Sequence, residues 1–292
     1  MGRIVTAKRV ASSSSVPSLP SILDKQARLE ARLGELGSVL VAFSGGVDSS
    51  YLAVVAHRTL QSRMLAVTGE SPSYPEVQRQ MARRIVKDFG VPHLFIETHE
   101  LDSQAYRANE PNRCFHCKTE LFGRLRALAE ERGFGWIADG ANADDLLDFR
   151  PGRRAAREFG VVSPLEETGL SKQEIRVLSH RLGLPTADEP ASACLASRIP
   201  YLTPVTSEKL RTIESGEQAL RNLGFRHFRV RHHDQLVRLE FAQEEMPAAL
   251  AAEMLPRLVA TFKALGFSFV TVDLEGYRSG SLNEVLAGRL LL

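Results

Sequence analysis

The chain has 292 residues, of which 43% are hydrophobic and 25% charged, the composition of an ordinary globular protein with one large or two medium domains. Its formal net charge of +2 is too small to indicate a nucleic-acid partner by itself. It has neither an apolar stretch long enough to span a bilayer nor a signal-peptide hydrophobic region, so we expect a cytoplasmic protein with no membrane partner.

Hydrophobic periodicity predicts strands that alternate with helices in the first half of the chain. A disordered tail at residues 1–20 precedes an amphipathic helix that ends near Leu36. The predicted strands lie at 38–43, 63–68, 92–96 and 135–139, and the helices at 48–60, 75–89 and 114–132. This alternation predicts an α/β fold with a parallel sheet flanked by helices. Ligands of such sheets bind at the carboxyl ends of the strands.

The pattern changes after Pro151. One clear helix, from Lys172 to Leu182, is followed by an irregular segment that reaches about residue 204. A helix–strand–strand–helix–strand order is then predicted at 206–223, 226–231, 235–241, 247–265 and 267–272. We therefore expect a main domain at 21–204 and a smaller C-terminal α/β domain at 205–292.

The segment after the first predicted strand has the pattern Ser-Gly-Gly-x-Asp-Ser and is predicted to bind ATP. Its residues are Ser44, Gly45, Gly46, Val47, Asp48 and Ser49. Paired glycines let backbone N–H groups approach a phosphate, and the helix N-terminus adds further donors. Asp48 is placed to hold magnesium, and Asp48, Ser49 and Ser50 can cap the helix. The pattern is neither G-x-x-x-x-G-K-[ST] nor G-x-G-x-x-G, which argues against kinase or GTPase chemistry and against dinucleotide binding.

A second polar loop, at 139–145, follows the fourth predicted strand. Gly140 and Asn142 are its candidates for ATP binding, because Asp and Asn at a strand end can bind ribose, a metal or an attacking water. A turn that caps the following helix explains the same residues equally well.

Three cysteines, Cys114, Cys117 and Cys194, argue against a disulfide framework. The first two have the C-x-x-C spacing that lets two thiolates bind one metal or cluster, and Arg113 is expected to lower their pKa. Cys194 lies in a small, polar segment with Arg198 four residues later, which favours a functional cysteine over a core one. Three thiolates can hold a [4Fe-4S] cluster with one iron open. Zinc with His232 or His233 as a fourth ligand is the alternative.

Two arginines, Arg229 and Arg231, fall on one face of a predicted strand. They can form a clamp for a phosphate or carboxylate, and an exposed basic strand face is the plainer interpretation. The polar, Gly-rich segment at 273–283 is either a docking turn or a loop of the site.

Together these motifs resemble the LarE family of ATP-dependent sulfur transferases, which belongs to the N-type ATP pyrophosphatase (PP-loop) superfamily with its adenine nucleotide alpha hydrolase-like fold. The similarity runs from about residue 23 to the C-terminus. Four stretches carry it, at 43–49, 112–118, 193–201 and 273–283. Two departures lie near Cys194: Glu189 stands where a basic residue often precedes the proline, and Leu202 stands where glycine is usual.

The resemblance implies that ATP adenylates a carboxylate of pyridinium-3,5-biscarboxylic acid mononucleotide and that sulfur then displaces AMP to leave a thiocarboxylate. It implies that Cys194 is either a sacrificed sulfur donor or a cluster ligand, that Arg198 is catalytic, and that Arg229, Arg231 and Glu217 form the substrate-phosphate region. Cys114 and Cys117 beside Cys194 indicate the branch with a [4Fe-4S] cluster. The implied partners are other enzymes of nickel-pincer nucleotide cofactor synthesis and further copies of the chain.

Three other functions are considered. A tRNA-thiolating enzyme combines the same ATP loop with cysteines, but the chain has no recognisable RNA-binding module and only a small net charge. An amidating synthetase that uses ammonia has no need of three cysteines. If the chain were a non-catalytic ATP-binding sensor, the polar residues around Asp48 and Cys194 would have no explained role.

Overall fold

A four-stranded parallel sheet forms the centre of the larger part of the protein, whose computed structural model describes residues 19–147, 151–190 and 193–278. Its strands are Val39–Ala42 (β1), Met64–Glu70 (β2), His93–Glu97 (β3) and Trp136–Ala138 (β4). They are ordered β3-β2-β1-β4, and each neighbouring pair is parallel. The predicted α/β fold with a parallel sheet is confirmed.

Helices cover both faces of this sheet, as a parallel sheet requires. They are Leu19–Leu36 (α1), Val47–Leu60 (α2), Glu76–Phe89 (α3), Gln104–Arg107 (α4), Arg113–Arg132 (α5), Gly152–Glu158 (α6), Pro164–Glu167 (α7) and Lys172–Leu182 (α8). Val39 and Val41 of β1 pack with α1, α2, α3 and α8, whereas Leu40 and Ala42 pack with α5 and α6. Alternate residues of one strand therefore bury into opposite layers.

The order of the sheet places two polar loops side by side. The chain builds β1, β2 and β3 towards one edge and then returns to add β4 on the other side of β1. In such sheets, ligands bind in the crevice at the carboxyl ends of the strands where the order reverses. The loops at 44–49 and 139–145 both start at that point.

A second, three-stranded sheet follows. Its elements are Ser207–Asn222 (α9), Phe228–His233 (β5), Leu236–Phe241 (β6), Met246–Ala249 (α10), Leu255–Ala264 (α11) and Phe269–Val272 (β7). β5 and β6 are antiparallel, whereas β6 and β7 are parallel. The single helix predicted at 247–265 was wrong: it is divided into α10 and α11. Pro256 lies in the first turn of α11. Proline suits that position because its missing N–H would have no partner within the helix there.

The predicted domain boundary near residue 205 stays a prediction. Residues 1–18 of the predicted tail lie outside the described residues, and Leu19 and Pro20 begin α1. In the described ranges, no helix has the length and apolar character needed to cross a membrane.

Gly216 of α9 lies where no side chain fits. A Cβ atom there would lie 2.9 Å from Cε1 of Phe262 and 3.2 Å from Cγ1 of Val230, and both of these residues are buried. We expect Gly216→Ala to lower the free energy of unfolding by about 1–2 kcal/mol, because overpacking outweighs the gain of about 1 kcal/mol in helix propensity.

Gly34 of α1 provides the matched control, since a Cβ atom there would meet nothing within 4 Å. Gly34→Ala is expected to raise the free energy of unfolding by about 0.5–1 kcal/mol. Urea denaturation of both variants checks the pair, and equal stabilisation by the two substitutions would contradict the packing argument.

Candidate active site

The predicted ATP loop is shaped by its own side chains. The backbone N–H of Ser44 donates to Oγ of Ser49 (3.2 Å), whose hydroxyl in turn donates to the carbonyl of Gly46 (3.2 Å). Gly45 has φ +72°, and a Cβ atom there would lie 2.9 Å from the carbonyl oxygen of Gln78. Only glycine fits this position, and the loop backbone is therefore held close to α3.

The N-terminus of α2 lacks the predicted cap. Gly46 is the N-cap residue, and no described side chain caps the helix. The prediction that Asp48, Ser49 or Ser50 caps it was wrong, because these residues lie inside the first turn. The side chain of Val47 is buried in the core, so only its backbone can face a ligand. An uncapped helix start with N–H groups at a sheet's carboxyl edge is suited to a phosphate.

Asp48, the predicted magnesium ligand, forms an ion pair with Lys172 of α8. Burial raises the pKa of Asp48, and Lys172 opposes that rise. The other carboxylate oxygen, Oδ1, is buried and accepts no hydrogen bond within the described part of the chain. Such an oxygen is costly to bury unless a donor or cation reaches it. Sequence reasoning missed Lys172 because it lies 124 residues from Asp48 and in no motif of the loop.

The second polar loop packs on the first. A Cβ atom at Gly140 would lie 2.9 Å from the backbone nitrogen of Ser49, so glycine allows the two loops to touch. Oδ1 of Asn142 accepts from the backbone N–H of Asp144 (3.0 Å) at the start of a 3₁₀ turn. These contacts are those of a turn that caps the following 3₁₀ helix. The binding of ATP by Gly140 and Asn142 stays a prediction.

Residues 193–198, here named the cysteine loop, are held by three buried arginines. Arg198 donates to the carbonyls of Ala193 (2.7 Å) and Cys194 (3.0 Å), Arg113 to that of Ala196 (2.9 Å), and Arg231 to that of Ser197 (2.8 Å). Hydrogen bonds from charged donors are stronger than neutral ones. The backbone around Cys194 is therefore fixed from several directions.

Arg198 also forms a buried ion pair with Glu217 of α9, at 2.8 Å between Nε and Oε1. Each side chain is only 2% exposed. Burial by itself would raise the pKa of Glu217, but the Arg198 guanidinium outweighs it and holds that pKa below its usual range. These contacts are those of a positioning residue. The catalytic role predicted for Arg198 and the phosphate-binding role predicted for Glu217 stay predictions.

The two arginines of β5 are not an exposed basic face, so that interpretation was wrong. Arg231 is buried and makes two parallel hydrogen bonds to Glu240, both 2.9 Å long. Arg229 lies 4.5 Å over the ring of Tyr277 and donates to its hydroxyl (3.1 Å). Burial, followed by repulsion from Arg198, lowers the pKa of Arg229 to about 10. An anion beside Arg229 would relieve that repulsion.

The cysteine loop and the ATP loop contact adjacent residues of one connection, the segment between β2 and α3. The backbone N–H of Leu195 donates to the carbonyl of Ser73 (2.9 Å). The hydroxyl of the next residue, Tyr74, donates to the carbonyl of Ser44 (3.1 Å). The cysteine loop and the ATP loop are thus joined through two adjacent residues of one connection.

The three cysteines come together between α5 and the cysteine loop. Burial raises the pKa of Cys117, and the charges of Glu100 and Cys194 raise it further. Cys114 is exposed as a residue, yet protein packed around its sulfur, and then the charge of Cys194, raises its pKa too. Arg113 lowers that pKa, as predicted from the sequence, but the other two effects outweigh it. The thiols therefore lie close enough to affect one another's ionisation.

Among the residues that the structure describes, no group of three or more His, Cys, Asp or Glu side chains is arranged to hold a metal ion, and this applies to the three cysteines as well as to a zinc site. His232, one of the two predicted fourth zinc ligands, packs its ring 5.0 Å from that of Phe267 in the second sheet. The cluster and its zinc alternative stay predictions.

Comparison with known proteins gives matches of different extent. A family model described as asparagine synthase matches residues 26–111. A pyridinium-3,5-bisthiocarboxylic acid mononucleotide synthase of Lactiplantibacillus plantarum is 32% identical over 269 residues, 92% of this chain and 97% of that protein. An uncharacterised protein of Synechocystis is 43% identical over 262 residues, 90% of this chain and 98% of that protein. A tRNA-specific 2-thiouridylase of Pelobacter propionicus is 33% identical over 187 residues, covering 52% of this chain and 51% of that protein.

Leu202, just after the cysteine loop, adopts φ +67°. Leucine disfavours this left-handed region because its Cβ approaches the following carbonyl, whereas glycine does not. The side chain is 53% exposed, so it gains little burial in return. The backbone N–H of Leu202 donates to the carbonyl of Asn109 (3.0 Å), which fixes the turn. The positive φ at Leu202 explains why glycine is usual at this position in the family that the sequence resembles.

We expect Leu202→Gly to raise the free energy of unfolding by about 1 kcal/mol, because the left-handed strain is removed. Thr203→Gly is the matched control, since the neighbouring Thr203 has no positive φ and should lose stability. Chemical denaturation measures both. Equal destabilisation by the two substitutions would show that Leu202 is not strained.

Proposed function

The chain belongs to the LarE family of PP-loop, ATP-dependent sulfur transferases, and on that premise we propose that it converts a carboxylate of pyridinium-3,5-biscarboxylic acid mononucleotide to a thiocarboxylate. The observation that carries the proposal is the pair of contacts, through Ser73 and Tyr74, that joins the cysteine loop to the ATP loop. Activation by ATP and delivery of sulfur need neighbouring sites, and these contacts support that arrangement.

In the proposed first step, a carboxylate oxygen of the substrate attacks the α-phosphorus of ATP. A new P–O bond forms, the bond to the bridging oxygen breaks, and pyrophosphate leaves with that electron pair. Residues 44–49 and the start of α2 direct backbone N–H groups at pyrophosphate and so stabilise the charge that develops there. Oδ1 of Asp48 has the type and burial to hold magnesium, which neutralises phosphate charge when bound. Lys172 favours the ionised form of Asp48, against the effect of burial, and holds its carboxylate in place.

In the proposed second step, a sulfur nucleophile at the cysteine loop attacks the carbonyl carbon of the acyl adenylate. A C–S bond forms, the C–O bond to AMP breaks, and AMP leaves with its electron pair. Adenylation is needed because a free carboxylate resists nucleophiles and has no good leaving group. Arg113, Arg198 and Arg231 act by holding the backbone that carries Cys194.

We include a [4Fe-4S] cluster in the proposal, held by Cys114, Cys117 and Cys194. The donors fit in type, because all three are soft sulfur ligands, although within the described residues they do not form a group arranged to hold a metal ion. Burial disfavours the ionisation of Cys114 and Cys117, and a bound cationic group would reverse that preference. When bound, such a cluster supplies one iron without a protein ligand, at which an added sulfide can be held.

The substrate's phosphate is assigned to the region of Arg229 and Arg231. A phosphate placed beside Arg229 would offset the repulsion from Arg198 that lowers its pKa. Glu240 pairs with Arg231, and Arg229 lies over the ring of Tyr277. We further propose a cytoplasmic protein that forms homo-oligomers and exchanges substrate and product with other enzymes of nickel-pincer cofactor synthesis.

Cys194→Ala is expected to abolish formation of the thiocarboxylate while leaving adenylation and release of pyrophosphate, because residues 44–49 bind ATP without the thiol. Asp48→Asn provides the converse variant, with both outputs reduced by about 10²–10³-fold. A pyrophosphate assay and mass spectrometry of the product measure the two outputs separately. Loss of ATP turnover in a folded Cys194→Ala protein would overturn this division of labour.

Protein purified without oxygen and loaded with iron and sulfide is expected to contain about four irons per chain and to absorb visible light. Cys114→Ala and Cys117→Ala should each lose the iron, because each removes a thiolate. Iron and sulfide analysis, with absorption and EPR spectra, checks this. An iron-free, colourless protein that resists loading would contradict the cluster and favour Cys194 as a sacrificed sulfur donor.

A further inference from the structure

Tyr106 of α4 is buried beside the cysteines. It is 1% exposed and belongs to an apolar cluster with Leu195 and Ala196 of the cysteine loop. Cys117 and Cys194 pack against the same cluster. Tyr106 therefore reaches the space between α5 and the cysteine loop, where the thiols meet.

The hydroxyl of Tyr106 is buried and has no hydrogen-bond partner among the described residues. The phenol of a tyrosine carries its proton at neutral pH, so this hydroxyl is available as a donor. The Ser73 hydroxyl lies nearby and lowers the pKa of Tyr106, but it donates to Glu100 (2.7 Å), and no hydrogen bond of normal geometry joins it to Tyr106. An unsatisfied buried hydroxyl is destabilising and needs an explanation.

Several polar groups of this region already bind other donors. The carboxylate of Glu100 accepts from the hydroxyls of Ser71 and Ser73 (2.5 and 2.7 Å). The carbonyls of Ala193, Cys194, Ala196 and Ser197 accept from arginines. The sulfurs of Cys117 and Cys194, which pack against the same cluster as Tyr106, are further acceptors. A neutral thiol is a weak acceptor, whereas an anionic sulfur is a strong one. An anionic sulfur would therefore give the phenol a strong acceptor.

We propose that the Tyr106 hydroxyl donates a hydrogen bond to the sulfur anion that attacks the acyl adenylate. The inference rests on the proposed function and adds to it a sulfur-binding residue. A sulfur anion in this pocket has lost its water, and a hydrogen-bond donor replaces part of that solvation. Tyr106 keeps its proton throughout. As the C–S bond forms and AMP leaves with the electron pair of the broken C–O bond, the sulfur loses charge and its hydrogen bond to Tyr106 weakens.

Tyr106→Phe tests this because it removes only the hydroxyl. Tyr51→Phe is the matched control, since Tyr51 of α2 is equally buried, also has an unpartnered hydroxyl, and lies in the core cluster of α1, α2 and α3. Neither substitution should lower the melting temperature, because each removes an unsatisfied polar group. With diacid substrate, ATP, magnesium and sulfide, we expect Tyr106→Phe to release pyrophosphate at the wild-type rate in a single turnover. Its ratio of thiocarboxylate to pyrophosphate should fall about tenfold or more, whereas that of Tyr51→Phe should not change.

An unchanged ratio in Tyr106→Phe overturns the inference. So does a loss of stability in Tyr106→Phe that Tyr51→Phe does not share, because the hydroxyl would then be structural. If the wild-type protein makes AMP but no thiocarboxylate, the proposed function fails, and a second measurement decides the role of Tyr106 separately.

That measurement uses carbon-13 at Cζ of tyrosine, whose NMR signal responds to hydrogen bonding of the hydroxyl. The chain has only five tyrosines, so the Phe variants assign the two signals of interest. Adding inorganic sulfide to the anaerobic, iron-loaded protein should shift the Tyr106 signal and leave the Tyr51 signal in place. A Tyr106 signal that does not respond to sulfide overturns the inference.

Discussion

Three buried guanidinium groups determine where Cys194 lies, and the rest of the site depends on them. Arg113 comes from the start of α5, Arg198 from the cysteine loop itself and Arg231 from the second sheet. Buried charges are costly unless paired, and Glu217 and Glu240 supply the pairing for Arg198 and Arg231. Because donors from α5 and from the second sheet bind one short segment, its conformation requires both parts of the chain to be in place.

The site combines two regions of opposite electrostatic character, the ATP loop and the region of the cysteines. The ATP loop presents backbone N–H groups and an uncapped helix start, which suit an anion. Burial in the region of the cysteines opposes the ionisation of Cys114 and Cys117. Ser73 and Tyr74 join the two regions. In the proposed reaction the first region stabilises pyrophosphate as it leaves, and the second supplies sulfur to the activated carbonyl.

The sequence predicts the first sheet and the strand–turn–helix arrangement at 39–60 well, because apolar strands and Ser-Gly-Gly-x-Asp-Ser are local signals. The roles of residues 44–49 and of the three cysteines stay predictions. It does not predict that Lys172 pairs with Asp48, or that Glu240 engages Arg231, since these contacts depend on tertiary packing. The division of α10 from α11 follows from Pro256 and was available from the sequence. The unpartnered hydroxyl of Tyr106 was not, because burial and partners depend on neighbours distant in sequence.

An oxygen-18 experiment tests directly whether ATP activates a carboxylate of the substrate. The pyridinium diacid mononucleotide is labelled with oxygen-18 in its carboxylates and incubated with the protein, ATP, magnesium and sulfide. If the carboxylate attacks the α-phosphorus and AMP later leaves with that oxygen, mass spectrometry will find one labelled oxygen in AMP and none in pyrophosphate. AMP that carries no label would contradict this mechanism, because ATP would then be consumed without adenylation of the carboxylate.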